Sequence, residues 1–150
     1  MELNDEIRIA APKDVVYAAL NDADVLRQAI PGCEELIQHS PTELEATVVL
    51  KIGPVKARFK GNVILDTAAA PDAFSLSGEG KGGAAGFAKG GADVSLTEEG
   101  GETILAYTAK VDMGGKIAQL GSRLIAGTAK KLSAKFFADF AEVVTTRDAA

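Results

Sequence analysis

The sequence has little of what most catalytic or metal-binding sites need. Its 150 residues include one cysteine (Cys33), one histidine (His39) and no tryptophan, and aromatic residues make up only 5% of the chain. A single cysteine excludes an internal disulfide and is typical of a protein kept in a reducing compartment. One histidine and one cysteine do not make a zinc or copper site. We therefore expect no intrinsic metal and no intrinsic cofactor.

Long apolar runs and an excess of basic residues are also missing. No apolar stretch approaches the roughly 18 residues of a membrane span, and the N-terminal MELNDEIRIAAP has no apolar signal core behind a basic start. The net charge of −5 argues against a nucleic-acid-binding protein, which usually shows a basic footprint. We expect a cytoplasmic protein of one domain, with residues 1–144 forming the domain and residues 145–150 a short C-terminal tail.

Catalytic motifs are weak or absent. The run GEGKGG at 78–83 matches G-x-G-x-x-G, but a dinucleotide site needs a helix to begin there. The following AAGFAKGGADVSL alternates like a strand, so these glycines indicate bent or bulged strands. His39 lies in QHSP, a predicted turn, and Cys33 is typical of a small buried apolar residue. No nucleophile elbow is present, and we identify no catalytic residues.

Alternation of apolar and polar residues is what the sequence has in abundance. Six segments, near residues 3–9, 44–52, 55–65, 74–80, 87–96 and 103–113, alternate with a period of two, as half-buried antiparallel strands do. Between the first of these and PGC at 31–33, KDVVYAALND and ADVLRQAI predict two short helices. Helical spacing then returns over residues 112–140, which predicts one long C-terminal helix.

The long helix carries an unusual pattern. Ile117, Leu120 and Leu124 share one helical face with Gly121. An interior glycine costs about 1 kcal/mol relative to alanine, so we hypothesise that a flat ligand or a closely packed strand lies against Gly121. Five cations and no acid fall between residues 114 and 138. This charge run indicates either a solvated face or a docking surface for anionic lipid or an acidic partner.

The order of these elements predicts an α+β architecture. A sheet with one apolar face must be covered, and the final helix is the only element long enough to cover it. We predict a curved antiparallel sheet of about seven strands that grips the long C-terminal helix, with two short helices after strand 1. The interior of such a fold is a ready ligand cavity.

Three segments, AIPGCEEL, GFAKGGADVSL and GGKIAQLGSRLIAGTAKKLSAKFFADF, resemble the family of the CoxG subunit of carbon monoxide dehydrogenase, and the resemblance covers about residues 1–144. That family belongs to the SRPBCC, or START-like, superfamily of helix-grip (START/Bet v 1-like) folds. The resemblance implies an apolar cavity between the sheet and the last helix. It further implies a non-enzymatic accessory protein of a molybdenum-containing carbon monoxide dehydrogenase or related hydroxylase, which binds a respiratory quinone and links this molybdenum–flavin enzyme to the membrane.

Candidate site residues combine the patterns with this resemblance. The candidate cavity residues are apolar positions of the strands and of the last helix, with Tyr107 offering a hydroxyl to a ligand carbonyl: Leu50, Phe59, Phe87, Tyr107, Met113, Ile117, Leu120, Gly121 and Leu124. The candidate docking surface is the polar face of the last helix: Lys116, Gln119, Arg123 and Lys130. Some family members carry a membrane-binding C-terminal extension that the terminal VVTTRDAA does not resemble. We therefore expect transient contact with the inner face of the membrane.

Two other functions stay open at this point. A START-like cyclase or hydrolase acting on an apolar substrate would need an inward-facing ionisable group with a shifted pKa. An assembly factor without a ligand would have a filled core, with no space near the roughly 300–1,000 Å³ of a ligand site. The poverty of catalytic residues favours the ligand-binding accessory protein.

Overall fold

The computed structural model describes residues 1–149, with side chains through residue 146, and forms one sheet with three α-helices. The strands are β1 (Glu2–Ile9), β2 (Cys33–Ser40), β3 (Glu43–Ile52), β4 (Val55–Asp66), β5 (Ala73–Lys81), β6 (Phe87–Glu99) and β7 (Glu102–Gly114). The helices are α1 (Lys13–Leu20), α2 (Ala23–Ala29) and α3 (Ser122–Ala149), and two 3₁₀ turns cover Gly83–Ala85 and Lys116–Leu120.

The seven strands pair antiparallel in the order β1-β7-β6-β5-β4-β3-β2, so β1 and β2 are the edges of the sheet. Directly opposed residues of an antiparallel pair share a face, and the buried Ile9, Leu44, Leu65, Phe74 and Leu105 identify the inner face. The predicted α+β architecture, with a seven-stranded sheet around a long C-terminal helix, is confirmed.

The two short helices connect β1 to β2. α1 follows Pro12, which takes the N-cap position, and α2 follows Asp22, whose carboxylate accepts hydrogen bonds from the amides of Asp24 and Val25. Val25 is fully buried against the sheet residues of the larger hydrophobic cluster. Both helices lie where the sequence predicts them.

The segment around His39 differs from its prediction as a turn, because His39 lies in the edge strand β2. This strand has register shifts between Cys33 and Glu35 and between Gln38 and Ser40. Such irregularities add unpaired residues and break the period of two that identifies a strand. The alternation in this segment is therefore too short to predict β2.

The predicted helix over 112–140 is wrong at its N-terminal end. β7 continues to Gly114, a 3₁₀ turn covers Lys116–Leu120, and α3 begins only at Ser122. Gly121 separates the turn from α3 with φ +92° and ψ 146°, a conformation that residues with a side chain rarely adopt. α3 then runs for 28 residues, about 42 Å, and includes residues 145–149 of the predicted tail; residue 150 lies outside the described residues.

Two separate hydrophobic clusters attach the helices to the sheet. The base cluster joins α1, α2 and the C-terminal half of α3 to the sheet and includes the fully buried Phe140. The loop-end cluster consists of Ile52, Ala85 and Ile117. It lies where the β3–β4 turn and the two 3₁₀ turns meet, and we call this end of the molecule the loop end. The middle of the inner face belongs to neither cluster.

Candidate functional site

The inner face of the sheet is apolar across its middle strands. In β3, β4 and β5, and in β6 as far as Leu96, every inner-face position holds an aliphatic residue, a phenylalanine or a glycine. These fully described stretches therefore present no ionisable side chain toward the interior. An apolar ligand gains free energy on such a surface because both surfaces are removed from water.

Small residues line the part of this face that lies between the two clusters. The register pairs Gly61 with Gly80, and Gly78 with Gly90, and Ala88 lies opposite Gly80. These inner-face positions are only half-buried. Because protein interiors are densely packed where large side chains fill them, these small residues mark the part of the inner face with the most room for a ligand below α3.

The same glycines allow neighbouring strands to approach closely where the sheet bends. A Cβ atom at Gly61 would lie 2.5 Å from the carbonyl oxygen of Glu79, and one at Gly90 would lie 2.1 Å from that of Lys110. A side chain at either position would force the strands apart. The GEGKGG run belongs to β5 and the 3₁₀ turn after it, which agrees with the prediction of bent strands and lacks the helix of a dinucleotide site.

A groove of about 850 Å³ lies between the edge strand β1 and α3. This volume is within the range of small-molecule sites. Three of its lining residues, Ile7, Tyr107 and Phe137, also pack against the base cluster, so the groove reaches the hydrophobic core. The complete lining is Glu2, Leu3, Asn4, Asp5, Ile7, Tyr107, Lys130, Ser133, Ala134, Phe137, Ala138 and Ala141.

Tyr107 is the polar group in the groove that best suits a ligand. Its ring stacks on Phe137 with centroids 5.3 Å apart and planes at 22°, and Phe137 packs edge-on against Phe136. A half-buried tyrosine hydroxyl usually finds a hydrogen-bond partner, yet this one forms no hydrogen bond with the described residues. The hydroxyl is therefore available to a ligand atom in the groove.

Five of the predicted cavity residues lie at the loop end of the inner space. Ile117 is buried in the loop-end cluster, and Phe59, Met113 and Leu120 pack against that cluster. Leu50 is half-buried on the inner face of β3. These side chains close the interior at the loop end, and their contact with a ligand stays a prediction.

Three other predicted cavity residues lie outside the interior. Phe87 is 41% exposed on the outer face, where its ring covers Gly114: a Cβ atom there would lie 2.3 Å from the ring. Leu124 is 38% exposed and lies beside Gly53 in the β3–β4 turn. A Cβ atom at the exposed Gly121 would meet nothing within 4 Å, so no strand packs there, and its backbone conformation alone requires glycine.

The predicted docking residues do not share one helical face. Lys116 and Gln119 lie in the 3₁₀ turn before Gly121, whereas Arg123 and Lys130 lie in α3, and Lys130 lines the groove. The continuous helix that would align them is interrupted at Gly121. Their role in docking stays a prediction.

The chemically reactive side chains lie away from the groove. Burial raises the pKa of the Cys33 thiol, whose Sγ donates to the carbonyl oxygen of Glu35 at 3.5 Å, and the neutral thiol is a poor nucleophile. His39 Nε2 lies 2.9 Å from Glu45 Oε2 on exposed side chains. The described residues contain no cluster of side chains that could hold a metal ion.

Most of the groove lining was not predicted from the sequence. Ser133, Ala134, Ala138 and Ala141 form a stripe of small residues along α3. Ala134, Ala138 and Ala141 are spaced by four and three residues, and Ser133 adjoins Ala134. This helical spacing is visible in the sequence and is the signal that would have found this wall. The other wall of the groove is formed by β1. No local sequence pattern indicates it, because it exists only where β1 is the edge strand of the folded sheet.

The curved antiparallel sheet, the long C-terminal helix and the apolar space between them define a helix-grip protein of the START/Bet v 1-like fold. A conserved protein from Geobacillus kaustophilus has a similar structure, with a TM-score of 0.90, 26% identity and coverage of 97% of this chain and 96% of that one. A START superfamily protein from Mycobacterium smegmatis has a TM-score of 0.74, 14% identity and 97% coverage of both chains. The Zhui aromatase/cyclase from Streptomyces sp. R1128 has a TM-score of 0.71, 14% identity and coverage of 98% and 94%.

A more specific match comes from the family comparison. The family model for the CoxG subunit of carbon monoxide dehydrogenase matches residues 6–145, and the chain belongs to this family. No curated protein matches the chain. The resemblance seen in the sequence is thereby confirmed for the family and for the fold.

Proposed function

We propose that this chain is a non-enzymatic accessory protein that binds a respiratory quinone between the sheet and α3, and that serves a molybdenum-containing carbon monoxide dehydrogenase or related hydroxylase. The observation that carries the proposal is the apolar, small-residue part of the inner face that neither hydrophobic cluster covers. The family name supports the choice of partner enzyme. Transient contact with a membrane is part of this proposal; none of the described helices combines the length and apolar character needed to cross a bilayer.

A quinone suits this site because its two parts match two kinds of lining. The isoprenoid tail would lie on the apolar inner face, where burial of each CH₂ group contributes about 0.8 kcal/mol. A ring carbonyl in the groove would accept a hydrogen bond from the hydroxyl of Tyr107, and Phe137 offers an aromatic face beside it. Tyr107 and Phe137 line a groove of adequate size for the ring.

A cyclase or hydrolase is the weaker candidate, although an aromatase/cyclase shares the fold. Acid–base chemistry requires an ionisable side chain beside the substrate. The apolar stretches of the middle strands offer none, and the charged residues that line the groove, Glu2, Asp5 and Lys130, are all exposed. An assembly factor without a ligand would need a filled interior, which the half-buried small residues and the 850 Å³ groove do not support.

Native mass spectrometry of the protein purified from its own host tests the proposal. We expect an added mass that matches a quinone and that disappears on extraction with organic solvent. The extracted protein should then bind menadione (2-methyl-1,4-naphthoquinone), measured by quenching of tyrosine fluorescence, which no tryptophan obscures in this chain. A protein that carries no added mass and does not bind menadione would contradict the proposal and favour the assembly factor.

A further inference from the structure

Three stretches of the chain contain cations and no acid: residues 46–65, 80–92 and 113–138. Each of them includes one of the connections at the loop end, namely the β3–β4 turn or one of the two 3₁₀ turns. The two 3₁₀ turns approach closely, since a Cβ atom at Gly115 would lie 2.6 Å from the Cα atom of Gly86, and the β3–β4 turn joins them because Ile52 clusters with Ala85 and Ile117. The cations that converge on the loop end are Lys51, Lys56, Lys60, Lys81, Lys116 and Arg123. Lys89 is left out, because the register places it between Glu79 and Asp112.

The register of the sheet places like charges directly opposite each other at this end. Lys51 pairs with Lys56 across β3 and β4, and Lys60 pairs with Lys81 across β4 and β5. All four side chains are exposed, and none has a carboxylate partner among the described residues. Directly opposed like charges destabilise a sheet, and an anionic partner would relieve that repulsion.

The opposite end of the molecule is internally neutralised instead. Arg8 forms ion pairs with Glu99 and Glu102, and Lys13 forms one with Asp72. Within the three acid-free stretches, only Arg58 and Lys135 have carboxylate partners in the described part of the chain, namely Glu34 and Asp139. Unpaired positive charge is therefore concentrated at the loop end.

Large apolar side chains are exposed among these cations. Phe87 follows Lys60 and Lys81 in one row across the outer face of the sheet, and Leu124 projects beside the β3–β4 turn. Both are more than one-third exposed. The combination of lysines with exposed apolar tips matches the boundary between lipid headgroups and acyl chains.

We infer that the loop end is a docking surface for an anionic phospholipid bilayer. This inference gives the membrane contact of the proposed function a defined surface, but it does not require a bound quinone. It differs from the sequence-predicted docking surface, because it adds the lysines of β3, β4 and β5 and leaves out Gln119 and Lys130. Each lysine close to an anionic membrane contributes roughly a fivefold gain in partitioning, and salt weakens the attraction.

Co-sedimentation of the full chain with vesicles tests the inference. We expect salt-sensitive binding to phosphatidylcholine vesicles that contain about 30 mol% phosphatidylglycerol, and much weaker binding to phosphatidylcholine alone. Replacing Lys56, Lys60 and Lys81 by glutamine should reduce binding on the order of a hundredfold. Phe87→Ser should reduce it further at unchanged charge. The thermal unfolding temperature of each variant should be measured, and removal of the opposed lysines should not lower it.

A matched variant carries the same loss of charge elsewhere. Replacing Lys110, Lys131 and Lys135 by glutamine should leave vesicle binding within about twofold of the unmodified chain. These lysines lie away from the loop end, so salt screens most of their attraction to a membrane bound there. Equal losses in the two triple variants, or no loss in either, would overturn the inference. Retention on immobilised polyglutamate without vesicle binding would also overturn it and would favour an acidic protein surface. Menadione affinity should be unchanged in the loop-end variant, so failure of quinone binding and failure of docking are separate outcomes.

Discussion

The rings of Tyr107 on β7 and Phe137 on α3 stack across the base of the groove, with centroids 5.3 Å apart and planes at 22°. This contact joins the sheet to the helix on the side where β1 leaves the sheet edge open. Phe137 fixes the position of the tyrosine ring, and the hydroxyl at the end of that ring has no partner in the described residues. The pair thus holds a hydrogen-bond donor in a fixed place on the wall of the groove.

Replacement of Tyr107 by phenylalanine is expected to weaken menadione binding about two- to tenfold, because one hydrogen bond contributes about 0.5–1.5 kcal/mol. Binding of 2-methylnaphthalene, which has the same rings without carbonyl groups, should be unchanged. Isothermal titration of both compounds measures the two effects. Tyr17→Phe is the matched control, since Tyr17 packs edge-on against Phe74 away from the groove lining. Equal losses for the two compounds would show that Tyr107 contributes only packing.

Alanine substitutions at Gly121 and Gly127 form a matched pair that tests whether the helix is interrupted before α3. A Cβ atom would meet nothing within 4 Å at either position, but Gly121 has φ +92° whereas Gly127 lies inside α3. Gly121→Ala should therefore destabilise the protein by about 1–3 kcal/mol through backbone strain. Gly127→Ala should stabilise it by about 0.5–1 kcal/mol. Urea unfolding measures both, and stabilisation by Gly121→Ala would contradict the helix break.

Thr103 is a fully buried polar residue of β7, and its hydroxyl donates to the carbonyl oxygen of Ala11 at 2.7 Å. Thr103→Val removes the donor and leaves the buried carbonyl without that partner, so we expect a loss of about 1–3 kcal/mol in the free energy of unfolding. The exposed Thr97→Val on β6 should change stability by less than about 0.5 kcal/mol. Similar unfolding curves for the two variants would contradict the proposed contribution of this hydrogen bond.

The reactivity of Cys33 should depend on pH in a defined direction. Burial disfavours the charged thiolate and raises the pKa of the thiol in the folded protein. The midpoint of the pH profile for iodoacetamide alkylation should therefore lie higher in the native chain than in the same chain unfolded in urea. Cys33 is the only cysteine, so the unfolded chain is its own control. An equal or lower midpoint in the native protein would contradict the effect of burial.

Alternation of apolar and polar residues was sufficient to predict most of the sheet. Val94 and Leu96 on β6 and Leu105 on β7 are buried as that pattern requires. The same pattern, counted back from Val94, places Ala88 inside and Phe87 outside. The assignment of Phe87 to the cavity was therefore wrong on information that the sequence already contained.

The break at Gly121 was harder to predict, because a 3₁₀ turn also repeats every three residues. Ile117 and Leu120 fit a helical face and a 3₁₀ turn equally well. The positive φ of Gly121 is fixed by how β7 connects to α3, which local spacing does not encode. The loop-end cations are a similar case, since residues 46–65 and 80–92 meet residues 113–138 only after the strands have paired.

Because the base and loop-end clusters are separate, the molecule is expected to open in two stages. The base cluster contains twelve buried residues and the loop-end cluster three, so backbone amides near Ile52 and Ile117 should exchange with deuterium before those near Phe140. Local opening of this kind needs far less free energy than global unfolding. Melting temperature and ligand residence time would then be governed by different parts of the chain, and a substitution within the loop-end cluster, unlike one of the surface lysines, could speed ligand release without lowering thermal stability.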